Sequence, residues 1–189
     1  MEPYWHSRGY LPHFECWEAI QFVTFHLADS LPAEALKRLV HETRDAEGDA
    51  KYRRRIETYL DAGHGECLLR RPEFAAIVRD ALLFFDGERY RLDAWTILPN
   101  HAHALFQPLA PHTLGGIVLS WKSFTARRIN ALLGRQGALW QEEYFDRFVR
   151  DEEHFAATTQ YIRENPVKAG LASHAEDWPW GSAADGKRE

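Results

Sequence analysis

Two extended stretches, RYRLDAWTIL and HAHALFQPL, follow one another with only Pro99 and Asn100 between them. Both carry the β-branched, aromatic and large aliphatic residues of strands. A proline has no N–H for a sheet ladder, so Pro99 ends the first strand. A link this short leaves only an antiparallel hairpin, and the fold must be built around it. The second strand opens His101-Ala102-His103-Ala104. Strand residues alternate faces, so the two histidines share one face, about 6.6–6.8 Å apart along the chain, and the alanines share the other. The small alanines let a covering element approach closely. Two same-face imidazoles are able to hold one divalent cation. Equally, they are two strand histidines hydrogen-bonded to backbone or solvent. Two ligands are too few for a tight site, so a metal reading requires a third group from elsewhere.

The rest of the chain supplies partners for the hairpin. EAIQFVTFHLAD, from Glu18 to Asp29, reads as a first strand. Ser30 is placed to cap a following helix with Pro32 just inside it. DAKYRRRIETYLDAGHGECLL predicts a second helix ending near Gly63. Phe74, Ile77, Val78, Ala81, Leu82 and Phe85 recur with helical period, and Asp86-Gly87 stops them. A further amphipathic helix is expected after Gly115 and Gly116, ending at Gly134. ALWQEEYFDRFVR alternates as a fourth strand, and DEEHFAATTQYIREN as a helix with acids in its first turn and Pro166 as its stop. Without the extra early helix and the last one, the order is β-α-β-β-α-β. The expected fold is therefore α+β, a ferredoxin-like antiparallel sheet with helices on one face. One domain over 1–189 is expected, with a core at 18–182, a helical insertion at 31–85 and a tail at 183–189. Trp178 and Trp180 would dock the end of the core.

Composition excludes several classes. Hydrophobic residues make up 45% of the 189 residues, so the chain is globular, yet no apolar run is long enough to span a bilayer. The first residues lack a charged-then-apolar leader, and Cys16 and Cys67 match no zinc spacing, which points to the cytoplasm. A net charge of −5 argues against indiscriminate coating of nucleic acid. From Gly115 to Arg150, however, Lys122, Arg127, Arg128, Arg135, Arg147 and Arg150 outweigh Glu142, Glu143 and Asp146. That stretch is able to hold phosphates at one face, or is simply a solvated basic helix.

The late helix offers the third group. Tyr161 and Asn165 are four residues apart and share a helix face, about 5.4–6 Å from one another. A tyrosine and an amide oxygen facing a cation have a definite use. The cation draws charge from a phosphodiester while the phenolic oxygen attacks phosphorus. The alternatives are an ordinary half-buried aromatic at 161 and a helix cap at 165. His154, two turns before Tyr161, is a conceivable proton shuttle or a surface histidine. Lys122 and Lys168 are possible phosphate contacts or solvated lysines.

These residues resemble a known family. ILPNHAHALF is similar to the histidine–hydrophobic–histidine motif of single-tyrosine HUH transposases, with Leu98 where methionine is usual and Ala102 as the hydrophobic residue. WKSFTARRINALLGRQGALWQEEYFDRFVRDEEHF, followed by YIRENPVKAGL, resembles the REP-associated tyrosine transposases, the domesticated branch. The W-P-W-x-S run from Trp178 to Ser182 is similar to theirs too, so the likeness extends from Glu18 to Ser182.

The resemblance implies a ferredoxin-like fold and a site in which His101, His103 and Asn165 bind Mg²⁺ or Mn²⁺. It implies that Tyr161 cleaves single-stranded DNA, leaving a 5′-phosphotyrosine link and a free 3′-OH. Tyr144 lies in a matching segment as well, but lacks an amide partner four residues on. The implied substrate is a repetitive extragenic palindrome, a DNA hairpin flanked by a guide tetranucleotide, with the helix from Trp121 to Arg135 against its backbone. The domesticated branch is expected to be monomeric, whereas related insertion-sequence enzymes are dimers with shared sites. Two rivals remain at this stage: a hairpin-binding protein on the same fold whose chemistry has lapsed, and a small-molecule metallohydrolase. The second would need an activated water and usually carboxylate ligands, and the sequence has no H-E-x-x-H-type cluster.

Overall fold

A computed structural model describes residues 4–7, 12–16, 19–31 and 55–184. β1 (Tyr4–Ser7) and β2 (Pro12–Glu15) form a small antiparallel hairpin of their own. The main sheet holds β3 (Gln21–His26), β4 (Tyr90–Ile97), β5 (His101–Pro108) and β6 (Phe145–Phe148), in the order β4-β5-β3-β6 with every pair antiparallel. α1 (Pro72–Leu83) joins β3 to β4, and α2 (Leu114–Leu133) joins β5 to β6. That is the expected β-α-β-β-α-β order. α3 (Glu152–Lys168) follows it. A helical segment at 55–61 lies between β3 and α1.

The alternation of β3 and β5 assigns the two faces of the sheet different tasks. Val23, Phe25, Ala102, Ala104 and Phe106 face α1 and α2, where they meet Phe74, Val78, Leu82, Ile117, Val118 and Trp121 in the main core. The two alanines are fully buried, and the space they leave is filled by rings: Phe25 lies 4.8 Å from Trp140 and Phe106 4.9 Å from Trp121. Each large apolar side chain buried here contributes about 1.5–3 kcal/mol. The polar tips inside this core are paired. Trp121 Nε1 donates to the Tyr90 hydroxyl, which donates to the carbonyl of Leu82, and Trp140 Nε1 donates to Thr125.

The other face carries Phe22, Thr24, His26, His101, His103 and Leu105. Here Phe22, Ala94 and Leu105 meet Ile162 of α3 in a much smaller cluster. The molecule therefore has three layers, with α1 and α2 on one side of the sheet and α3 alone with segment 55–61 on the other. The tail closes the β4 edge: Ile97 N donates to Trp180 O, Ser182 N to Trp95 O, and Trp178 Nε1 to Ile97 O.

Four details differ from the sequence expectations. The β1–β2 hairpin was not anticipated, since its strands are only four residues long. β6 occupies four residues of the segment read as a strand, and the chain before it makes a single bridge, Leu27 to Trp140. α2 begins at Leu114, before its glycines, because Thr113 Oγ1 accepts from Gly116 N and caps the first turn. α3 runs through Pro166 to Lys168. Pro166 falls in the last turn, where its missing N–H removes one bond only, and Ala169 N to Asn165 O closes the helix beyond it. The helix expected after Ser30 lies in 32–54, outside the described residues. Ser30 itself is turned inward, donating to Leu27 O and meeting His26 Nδ1.

Candidate active site

His101 and His103 stand on the α3 side of β5, almost wholly excluded from solvent. Thr24 lies opposite His103 on β3, and Thr96 lies opposite it on β4. The His103 and Tyr161 rings are 5.5 Å apart, and the two imidazoles 4.8 Å apart. Phe22 packs against both His103 and Tyr161. Asn165, one turn beyond Tyr161 on α3, is buried at the same place. The residues separated by some sixty positions in the chain thus meet, with the alanines on the opposite face as expected.

The hydrogen bonds around the imidazoles fix which nitrogen faces the site. Asn100 Nδ2 donates to the carbonyls of Leu60 and His64, so its Oδ1 must accept, and it lies 2.7 Å from His101 Nδ1. His101 therefore carries its proton on Nδ1 and presents a bare lone pair at Nε2. His103 Nδ1 lies 2.8 Å from Thr24 Oγ1, which leaves its Nε2 facing the site in the same way. Burial holds both imidazoles neutral, His103 down to about 3 and His101 well below its ordinary value. Neutral imidazole with an anchored second nitrogen is the form that binds a cation.

Segment 55–61 brings two acids over this face. Ile56 and Leu60 are buried beside Leu31. Glu57 and Asp61, the next stripe around the helix, face the site. Asp61 Oδ1 is 3.7 Å from His101 Nε2. Burial raises the Asp61 carboxyl to about 6 against the opposing effects of Asn165 and Lys168. Burial, then the carboxylates of Glu57 and Asp61, push the Tyr161 phenol far up. The segment is anchored at its end, where Glu66 N donates to Asp29 and Gly65 adopts φ +89°. A Cβ at Gly65 would sit 2.9 Å from the Asp29 carbonyl, so only glycine fits this close approach.

Asp61 Oδ1, His101 Nε2, His103 Nε2, the Tyr161 hydroxyl and both polar atoms of the Asn165 amide are buried without a well-formed hydrogen bond. Such atoms are costly singly, at about 1–3 kcal/mol each. Gathered in one place, they have the donor chemistry of a cation site. The set is mixed, two imidazoles with an amide and a carboxylate; among the described residues no group of three or more His, Cys, Asp and Glu forms a ready metal cage. The residues present fit a divalent cation.

Residues 75–165 match the family model described as "Transposase IS200 like". A REP-associated tyrosine transposase of Escherichia coli (strain K12) is 25% identical over 105 residues, covering 55% of this chain and 61% of its own. The family resemblance read from the sequence is borne out. A relative from Haemophilus influenzae is 29% identical over 96 residues, 46% of this chain and 54% of its own. The chain thus spans little more than half the length of these relatives. A solved REP-associated tyrosine transposase bound to a REP hairpin has the same fold, with a TM-score of 0.58 at 17% identity, over 92% of this chain and 81% of that one. The IS200-like segment contains His101, His103, Tyr161 and Asn165, while Glu57 and Asp61 lie before it.

The basic residues do not form one patch. Arg127 and Arg128 belong to α2 and Arg135 follows its cap Gly134; α2 covers the sheet face away from His101 and His103. Arg135 pairs with Glu66 and Asn130, and Arg127 Nε donates to Ser123 O. Lys122 donates to the carbonyls of Gln141 and Glu142, and burial lowers it to about 8. Arg147 instead lies on the site side, opposite Phe22 in the sheet and 5.8 Å from its ring. Lys168 Nζ stands 5.2 Å from the Tyr161 ring centroid. Arg150 is exposed just ahead of α3, where its N–H donates to His154 Nδ1. His154 serves the start of α3 rather than Tyr161. Glu57 and Asp61 escaped sequence reading, although an acidic pair four residues apart beside the Ile56/Leu60 stripe was visible there.

Proposed function

We propose that the chain is a metal-dependent, single-tyrosine DNA endonuclease and strand transferase acting on hairpin-forming single strands of the REP type. The observation that carries the reading is the convergence of a buried tyrosine hydroxyl, two unpartnered imidazole nitrogens and an amide in one unsatisfied cluster. His101, His103 and Asn165 would hold Mg²⁺ or Mn²⁺, which would supply positive charge to offset that gathering on phosphorus. Tyr161 attacks phosphorus in line through its phenolic oxygen. The bond from phosphorus to O3′ breaks, giving a 5′-phosphotyrosine and a 3′-OH.

The buried phenol stays protonated at neutral pH, so its proton must leave as the bond forms. Glu57, whose carboxylate neighbours the phenol, takes that proton, and the departing O3′ ends with it. Arg147 and Lys168, on the site side, steady the phosphate. The E. coli relative and the hairpin-bound structure support the substrate class, and the Nδ1 anchors on Asn100 and Thr24 support the metal role.

The test is incubation of the full chain with a fluorescent hairpin oligonucleotide and Mn²⁺. An adduct that resists SDS is expected with the natural chain and not with Tyr161→Phe. No adduct from the natural chain with any REP-type hairpin, or an adduct that persists in Tyr161→Phe, overturns the reading.

A further inference from the structure

We propose that Asp61, carried by segment 55–61, is a fourth protein ligand of the divalent-cation site. This rests on the metal-binding reading above. The supporting geometry starts from Asn100, whose amide orientation is forced by two backbone carbonyls. Because Oδ1 of Asn100 must accept, His101 donates through Nδ1 and has no proton at Nε2. Asp61 Oδ1 faces that same Nε2 at 3.7 Å. Two acceptors confront one another inside the protein with no hydrogen between them, and neither has another well-formed partner. A shared cation would satisfy both atoms.

The distance is close to what a shared cation needs. Two atoms each about 2.1 Å from one Mg²⁺ or Mn²⁺ lie about 3.0 Å apart when adjacent and about 4.2 Å when opposed. The 3.7 Å separation is longer than the adjacent spacing, a gap that a small rotation of the Asp61 carboxylate closes. The chemistry agrees as well. Two imidazoles and an amide bring no negative charge, whereas Mg²⁺ and Mn²⁺ favour anionic oxygen. Asp61 supplies the charge. The Asn165 amide is near enough to influence Asp61, which puts carboxylate and amide on one side of the imidazole pair. The ligand set thereby ties the segment before the IS200-like region to β5 and α3.

Mn²⁺ titrations of the full chain, followed by the electron paramagnetic resonance of free Mn²⁺, test the assignment. Asp61→Asn, Asp61→Ala and His103→Ala are compared with the natural chain, each first shown to be folded in chelator by near-ultraviolet circular dichroism. Both Asp61 variants are expected to bind Mn²⁺ at least tenfold more weakly, with an unchanged or raised melting temperature in chelator and a smaller rise on adding Mn²⁺. Unchanged Mn²⁺ affinity in Asp61→Asn, with loss in His103→Ala, overturns the Asp61 assignment and leaves the metal reading standing. No Mn²⁺ binding by the folded natural chain overturns both. Loss of fold in Asp61→Asn without metal makes Asp61 a structural residue and overturns the assignment.

Discussion

Replacing Asn100 by alanine tests the framework beneath the site without reference to any reaction. Asn100 is fully buried in the link between β4 and β5. Its side chain makes three hydrogen bonds, to Leu60 O and His64 O at 3.1 Å each and to His101 Nδ1 at 2.7 Å. After truncation Leu60 O keeps the N–H of Gly63, but His64 O retains only the Cys67 thiol and the His101 N–H is left with nothing. Three hydrogen bonds at about 1 kcal/mol each, with two groups left poorly satisfied, give a loss of about 3 kcal/mol. For a chain of this size that is a fall in melting temperature of about 6–12 °C. Urea unfolding in chelator at neutral pH measures it. A loss below about 0.5 kcal/mol, within the range of ordinary surface changes, would falsify the claim that this amide joins segment 55–61 to the imidazole.

Further outcomes follow from burial. His26, His101 and His103 are held neutral by burial, His26 down to about 4 and His103 to about 3, while Asp61 is raised to about 6. The histidine contributions are complete above pH 6.5 and are lost as the pH falls, because protons then bind the unfolded chain alone. Asp61 acts oppositely between about 6 and 3.8, where the folded chain holds the extra proton. Near pH 5, three histidines less one aspartate leave about two protons taken up on unfolding, so these groups cost about 2.7 kcal/mol of stability per pH unit. Stability measured by urea unfolding that stays flat from pH 6.5 to 4.5 contradicts this. On the other face of β5, Ala104→Leu forces a larger side chain against the main core and is expected to cost about 1–3 kcal/mol. A neutral result in thermal unfolding would mean the alanines do not set the helix approach.

The parts of the site legible in the sequence are those fixed by short-range geometry. A two-residue period puts His101 and His103 on one face, and a four-residue spacing puts Tyr161 beside Asn165. Whether the two pairs meet depends on α3 crossing the sheet on the side opposite α1 and α2, which no local pattern encodes. Asp61 was harder still. Its acidic stripe was visible, but its direction is set by the Gly63–Gly65 turn and by Asn100, which returns from forty residues away. The basic row of α2 was legible as a charge pattern, but not its place, which the fold puts on the sheet face away from the histidines. At Pro166 the general rule for proline yields to position, because a helix's last turn has little left to lose.

The inequality of the two apolar clusters has a consequence for how the molecule moves. α1 and α2 are held by the main core, but α3 meets the sheet through Phe22, Ala94, Leu105 and Ile162, and segment 55–61 through Leu31, Ile56 and Leu60. Elements resting on few apolar contacts open locally at a free energy well below that of global unfolding. The weak layer is the one that closes over the histidines. The sheet and its two main helices therefore form the firmer floor, and the layer above the histidines is the part expected to open first.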